Sequence, residues 1–134
     1  MYIGAVLDDG KHITVSFNGH TESKNDYKRA VQALASCAAA WFSGPIYGSF
    51  TELERFEPAH VWVTRVEAPR LHEFRDGLLK QLDLRGVAWS NEFGYKPHVT
   101  MTKWKQPKAP ITGHIEITHL SVVSDTYGKT EVLL

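Results

Sequence analysis

The sequence predicts an α+β domain built on a largely antiparallel sheet, and three observations predict it. Segments 11–17 and 97–104 alternate between apolar and polar residues, the two-residue period of half-buried strands. Segments 23–41 and 69–86 instead repeat their apolar residues at helical spacing. Strands and helices follow one another without the regular βαβ rhythm of a parallel sheet.

Tyr2 to Leu7 reads as a short strand, and Asp9-Gly10 as the turn of a hairpin, since both residues tolerate positive φ. The returning strand, Lys11 to Phe17, sets Ile13, Val15 and Phe17 on one face and His12, Thr14 and Ser16 on the other. A helix follows, with Ser23 as N-cap and Asp26 completing a partial capping box. Its buried stripe is Tyr27, Val31, Leu34, Ala38 and Trp41, and Gly44-Pro45 stops it. Pro45 to Phe56 and His60 to Val66 are read as two strands, with Val61 and Val63 opposed to Trp62 and Thr64. Pro69 opens a second helix whose apolar side is Leu71, Phe74, Leu78 and Leu82, ending near Gly86. Pro97 to Trp104 is a strand with His98, Thr100 and Thr102 on its polar face. Strands near His114 to Val123 and Lys129 to Leu134 close the chain. Trp41 and Trp62 are assigned to the core.

At 134 residues the chain suits a single domain, 1–134. Its 43% hydrophobic and 22% charged residues are those of an ordinary globular protein. Fifteen basic and fifteen acidic residues balance, which argues against an extended nucleic-acid surface and for a small ligand. One cysteine, Cys37, excludes an internal disulfide and a cysteine metal cluster. The apolar run Met1–Leu7 is too short for a signal peptide, and no stretch reaches the length of a membrane span. The expectation is a cytoplasmic monomer without a membrane association.

The chemistry concentrates in two tetrapeptides, His12-Ile13-Thr14-Val15 and His98-Val99-Thr100-Met101. Residues i and i+2 of a strand share a face, so each histidine projects together with its threonine. Each half of the chain offers one helix and one such strand, so the two strands are expected side by side at a central cleft. Two imidazoles and two hydroxyls in one cleft meet the needs of phosphodiester cleavage without a metal. One imidazole takes a proton from the attacking oxygen, the other gives one to the leaving oxygen, and the hydroxyls donate to the non-bridging oxygens. Seven histidines and ten threonines would give about half a His-x-Thr match by chance, so the setting in alternating strands matters more than the count.

The paired motifs, 86 residues apart, resemble those of the 2H phosphoesterase superfamily, also called LigT-like. The likeness extends to the strand before the first motif, the helix after it, the Gly48-Ser49-Phe50 strand, Pro97 before the second motif and the late Tyr127. It implies a bilobal α+β fold with both motifs lining a cleft, and a catalytic set of His12, Thr14, His98 and Thr100. It also implies a cofactor-free hydrolase acting on 2′,3′-cyclic phosphates, 2′-5′ linkages or cyclic oligonucleotide signals, as in short bacterial and phage members. A phage-encoded member would act in the host cytoplasm. Many relatives place a helix between the first strand and the first motif. This chain has only Asp8-Asp9-Gly10-Lys11 there, so one cleft wall is expected to be low.

Around the motifs, Lys11, Lys96 and Lys103 can attract phosphate or be ordinary strand-end lysines. Tyr95, Trp104 and Tyr127 can contact substrate or pack at the rim; Tyr127 is favoured because relatives carry a tyrosine near the final strand. His20, His60, His72, His114 and His119 lack the spacing of a metal site and are read as surface residues. The alternative to an enzyme is a nucleotide- or RNA-end-binding module with the same fold and little turnover.

Overall fold

The computed structural model describes residues 1–19, 23–91 and 94–134. Strand β1 (Tyr2–Val6) turns through Asp9-Gly10 into β2 (His12–Phe17), then helix α1 (Lys24–Ala39). The hairpin β3 (Ile46–Phe56) and β4 (Val61–Glu67) leads to α2 (Pro69–Leu84) and β5 (His98–Lys103). Three strands finish the chain: β6 (His114–Ile117), β7 (His119–Ser124) and β8 (Gly128–Leu133).

Among the described residues, eight strands form one antiparallel sheet in the order β6-β3-β4-β5-β2-β1-β7-β8. Its two four-stranded halves meet at β2 and β5, which pair through Ile13 and Val99. The α+β expectation holds, and so does the bilobal one, since each half has its own ladder.

The segment expected as one strand from His114 to Val123 is two. His114–Ile117 pairs with β3 in one half, and His119–Ser124 pairs with β1 in the other. Only Thr118 joins them, so the sheet curls until its distant parts meet. Periodicity could not reveal this, because apolar Ile115, Ile117, Leu120 and Val122 suit a strand on either side of the break.

In α1, Ser23 accepts from the Asp26 backbone N–H at 3.0 Å, the cap that the sequence predicts. The buried face is Ala30, Ala33, Leu34, Cys37 and Ala38, whereas Tyr27, Val31 and Trp41 pack at its margin. The small residues are central because α1 lies against α2 and the sheet at once, and only alanine-sized side chains allow that approach. Trp41 lies beyond the helix end and sets its ring edge-on to Phe74, 5.3 Å between centroids. In α2, Leu71, Phe74, Leu78 and Leu82 are fully buried as expected, and Arg75 is largely buried beside them.

Trp62 corrects its assignment. It is half-buried and stays outside the core cluster, while its neighbour Thr64 is wholly buried. Thr64 donates to the Met101 sulfur and accepts from the Ile111 backbone N–H at 3.0 Å, so its hydroxyl is satisfied inside. Ser16 and Phe17 likewise exchange their expected places: Ser16 is 2% exposed and Phe17 37%. The pairing of β1 with β2 skips Val15, since Ile3 faces Ser16 and Gly4 faces Thr14. That bulge reverses the alternation just after the first motif. No helix among the described residues is long and apolar enough to cross a membrane.

Candidate active site

The pairing of Ile13 with Val99 decides the site. Both residues are fully buried and occupy the middle of their motifs. Their neighbours therefore point together to the opposite face, with His12 across from Thr100 and Thr14 across from His98. A local two-fold axis passes between the strands and relates one His-Thr pair to the other. The histidines are diagonal neighbours, about 7–8 Å apart at the backbone, a gap that a phosphoryl group can fill. His12, Thr14, His98 and Thr100 thus come together in one place.

Each imidazole has its own surroundings. His12 lies under the ring of Tyr2, with centroids 4.3 Å apart and planes at 22°. Burial pushes its pKa down, and the nearby His98 pushes further in the same direction. His98 meets the edge of Phe56 at 4.7 Å. Its Nδ1 lies 2.7 Å from the Lys96 carbonyl, so Nδ1 carries the hydrogen and Nε2 is left for chemistry. Burial also lowers the His98 pKa; the Lys96 carbonyl and Glu54 oppose that, and Arg65 reinforces it.

The backbone behind the first motif is braced from α2 and the loop before β5. Arg75 is 8% exposed and donates from Nε to the carbonyl of the bulged Val15 at 2.9 Å. Its guanidinium lies over the Tyr95 ring at 4.4 Å. Tyr95 in turn donates from Oη to the Thr14 carbonyl at 3.0 Å. Burial raises the Tyr95 pKa far above the ordinary tyrosine value, so the hydroxyl keeps its proton and remains a donor.

The other residues named from sequence take varied places. Lys96 adjoins His98 through its carbonyl and brings its Nζ to 5.8 Å from the Phe56 ring. Trp104, at φ 72°, stacks on His60 at 4.3 Å at the far end of β5, with Lys103 Nζ 5.9 Å from its ring. Tyr127 lies in the β7–β8 turn with its ring 5.8 Å from Tyr27 of α1. Lys11 pairs with Asp9 in the hairpin turn. His72, His114 and His119 are exposed and His60 is half-buried, while His20 lies outside the described residues. No three His, Cys, Asp or Glu side chains among the described residues are grouped as a metal site requires.

Sequence reasoning missed Tyr2, Glu54, Phe56, Arg65 and Arg75. Four of these reach the site from neighbouring strands and one from a helix, so only tertiary register brings them in. A cavity of about 360 Å³ opens beside the motifs, lined in part by Thr14, Phe17, Phe56, Asn91, Lys96 and His98. A larger one, about 670 Å³, lies near the β6–β7 junction, and neither His12 nor His98 lines it.

An eight-stranded antiparallel sheet with two His-x-Thr strands joined at its centre fits the LigT-like fold that the paired motifs imply. Solved structures agree. TT0787 of Thermus thermophilus is 17% identical with a TM-score of 0.65, over 98% of this chain and 79% of that one. LigT of E. coli complexed with 3′-AMP is 19% identical at 0.64, over 98% and 78%. The MHV ns2 PDE domain is 15% identical at 0.56, over 98% and 81%. At such identities the likeness establishes the fold, and the chain has the LigT-like fold over nearly its whole length. No protein-family model matches the chain, and a sequence comparison with curated proteins returned no match.

Proposed function

We propose that this protein is a metal-independent phosphodiesterase that hydrolyses a nucleotide phosphodiester by two-histidine acid–base catalysis. The observation that carries the reading is the Ile13–Val99 pairing, which sets two His-Thr pairs around one point. With a substrate phosphoryl group there, one neutral imidazole accepts a proton from the attacking water as its oxygen bonds to phosphorus. The bond from phosphorus to the leaving oxygen breaks, and the other, protonated imidazole delivers its proton to that oxygen. Thr14 and Thr100 donate to the non-bridging oxygens as charge gathers on them. The substrate is a 2′,3′-cyclic phosphate, a 2′-5′ linkage or a cyclic oligonucleotide signal. Support for a nucleotide comes from the shared fold, since LigT has been crystallised with 3′-AMP, ATP and NADP+.

The test is a panel of those three substrate types, followed by chromatography, with the parent protein and His98→Ala, each with and without excess EDTA. Turnover of one type by the parent alone, unchanged by EDTA, is the expected result. Turnover that collapses in EDTA and returns with one divalent ion overturns the metal-independent reading. Tight nucleotide binding without product from any substrate would instead make the chain a binding module.

A further inference from the structure

Arg65 is the cross-strand partner of His98 in the β4–β5 ladder, so their side chains leave the same face one strand apart. From the next strand, β3, Glu54 reaches the Arg65 guanidinium, with Oε2 3.2 Å from Nη1. Phe56, two residues along β3, sets its ring edge against the His98 imidazole. The hydroxyl of Thr51 meets the Arg65 carbonyl at 3.2 Å. Arg65 Nε is buried without a hydrogen-bond partner among the described residues, an arrangement that folding alone does not favour.

We propose that Arg65, tethered by Glu54, is a positioning residue for His98, and that the pair sets the protonation state in which this imidazole meets the substrate. The inference rests on the phosphodiesterase reading for its consequence in catalysis, but not for its effect on His98 itself. Among the described residues, the charged and titratable groups around His98 are Arg65 from β4, Glu54 from β3, His12 from β2, Lys96 and Tyr95 from the segment before β5, and Arg75 from α2 in the same cavity. The Lys96 carbonyl fixes the Nδ1 hydrogen. Arg65 makes a second positive charge on His98 unfavourable, and Glu54 moderates that repulsion. Glutamine at position 54 still offers an oxygen to the Arg65 guanidinium, so Glu54→Gln removes the negative charge while the arginine keeps its place. His12 has no such pair in its own strand ladder; its β1 register partner is Val6. The local two-fold symmetry of the motifs is therefore broken by charge, and this gives the two histidines different resting states.

The experiment follows the His98 ring proton by NMR across pH in the parent, Arg65→Met, Arg65→Lys and Glu54→Gln, with kcat and KM measured on the substrate found by the panel. His98 is expected to titrate at higher pH in Arg65→Met, at lower pH in Glu54→Gln, and near the parent value in Arg65→Lys. With turnover, Arg65→Met lowers kcat about tenfold or more, leaves KM nearly unchanged and moves one limb of the pH profile with the NMR titration. An unmoved His98 titration in both Arg65→Met and Glu54→Gln overturns the proposal, even if activity falls. If Arg65→Met does not fold, the Glu54→Gln titration alone decides in the same way. Opposed titration shifts in a protein that turns over nothing sustain the role of the pair while refuting the phosphodiesterase reading.

Discussion

Alanine at position 12 or 98 removes one of the two proposed proton carriers and leaves the core intact, because Ile13 and Val99 supply the anchoring on the other face. Each substitution is expected to lower kcat/KM by at least about a hundredfold, the usual worth of one acid–base group. Thermal unfolding should show the folded state retained; normal turnover in His12→Ala would sink the paired mechanism. The acidity of the two rings yields a second expectation. Burial lowers both pKa values, so the singly protonated pair exists on the acid side of the ordinary histidine value of about 6.5. The pH profile of kcat/KM should be a bell centred there, with limbs belonging to the pair and not to either ring. A rate still climbing near about pH 9 would implicate a base of another kind. The same shifts act on stability. The folded protein favours neutral rings, so between the lowered pKa and about 6.5 the unfolded chain binds more protons. The stabilisation is whole above about pH 6.5 and is lost as pH falls through the folded pKa. Melting temperature in His98→Ala should therefore decline less over that window than in the parent.

Among the elements, the β1–β2 hairpin carries the strictest local demand. A Cβ on Gly4 would sit 2.4 Å from the Ile13 carbonyl oxygen and 3.1 Å from the Thr14 Cα. Neither is a flexible group that can step aside, so alanine there must push the two strands apart between His12 and the bulge. Gly4→Ala is expected to cost about 1–3 kcal/mol in chemical denaturation. It should also lower activity at temperatures where the variant is still fully folded. Unchanged stability would mean that the strands part without penalty and that the bulge is soft. Tyr2 has its place through the same glycine, since its ring lies over the His12 ring although Gly4 stands between Tyr2 and Val6, the register partner of His12. Little side-chain bulk stands between them.

At the scale of the molecule, both helices and both halves of the sheet contribute to one core. Phe74 is 1% exposed and belongs to a cluster that runs from Ile3 and Val15 through Leu34 to Val99, Leu120 and Val122. The chain should consequently unfold in one step, with signals from Trp41 and from the helices changing together. Phe74→Ala is expected to lower stability by about 3–5 kcal/mol by leaving a cavity between α1, α2 and the sheet. Two separated transitions in fluorescence and circular dichroism would contradict the shared core. Cys37 is part of that core, and burial holds its thiol up at about 11, so it should react slowly with thiol reagents until the protein opens.

The sequence by itself determined most of the elements and the two His-x-Thr pairs proposed to carry the chemistry. Alternation in 11–17 and 97–104, the Ser23 cap, Pro69 and the leucine stripe of α2 are local signals, and each is read over a few residues of chain. The His-x-Thr pairs were legible for the same reason, because a two-residue spacing on a strand already commits both side chains to one face. Tertiary structure alone decided which strands meet. The Val15 bulge that turns Ser16 inward, the break at Thr118 and the burial of Thr64 depend on partners in other strands and loops. So does the ring of Tyr2, Phe56, Glu54 and Arg65 around the histidines. Hydrogen-bonded register sets these contacts, and register is a property of two strands together, written in neither strand alone.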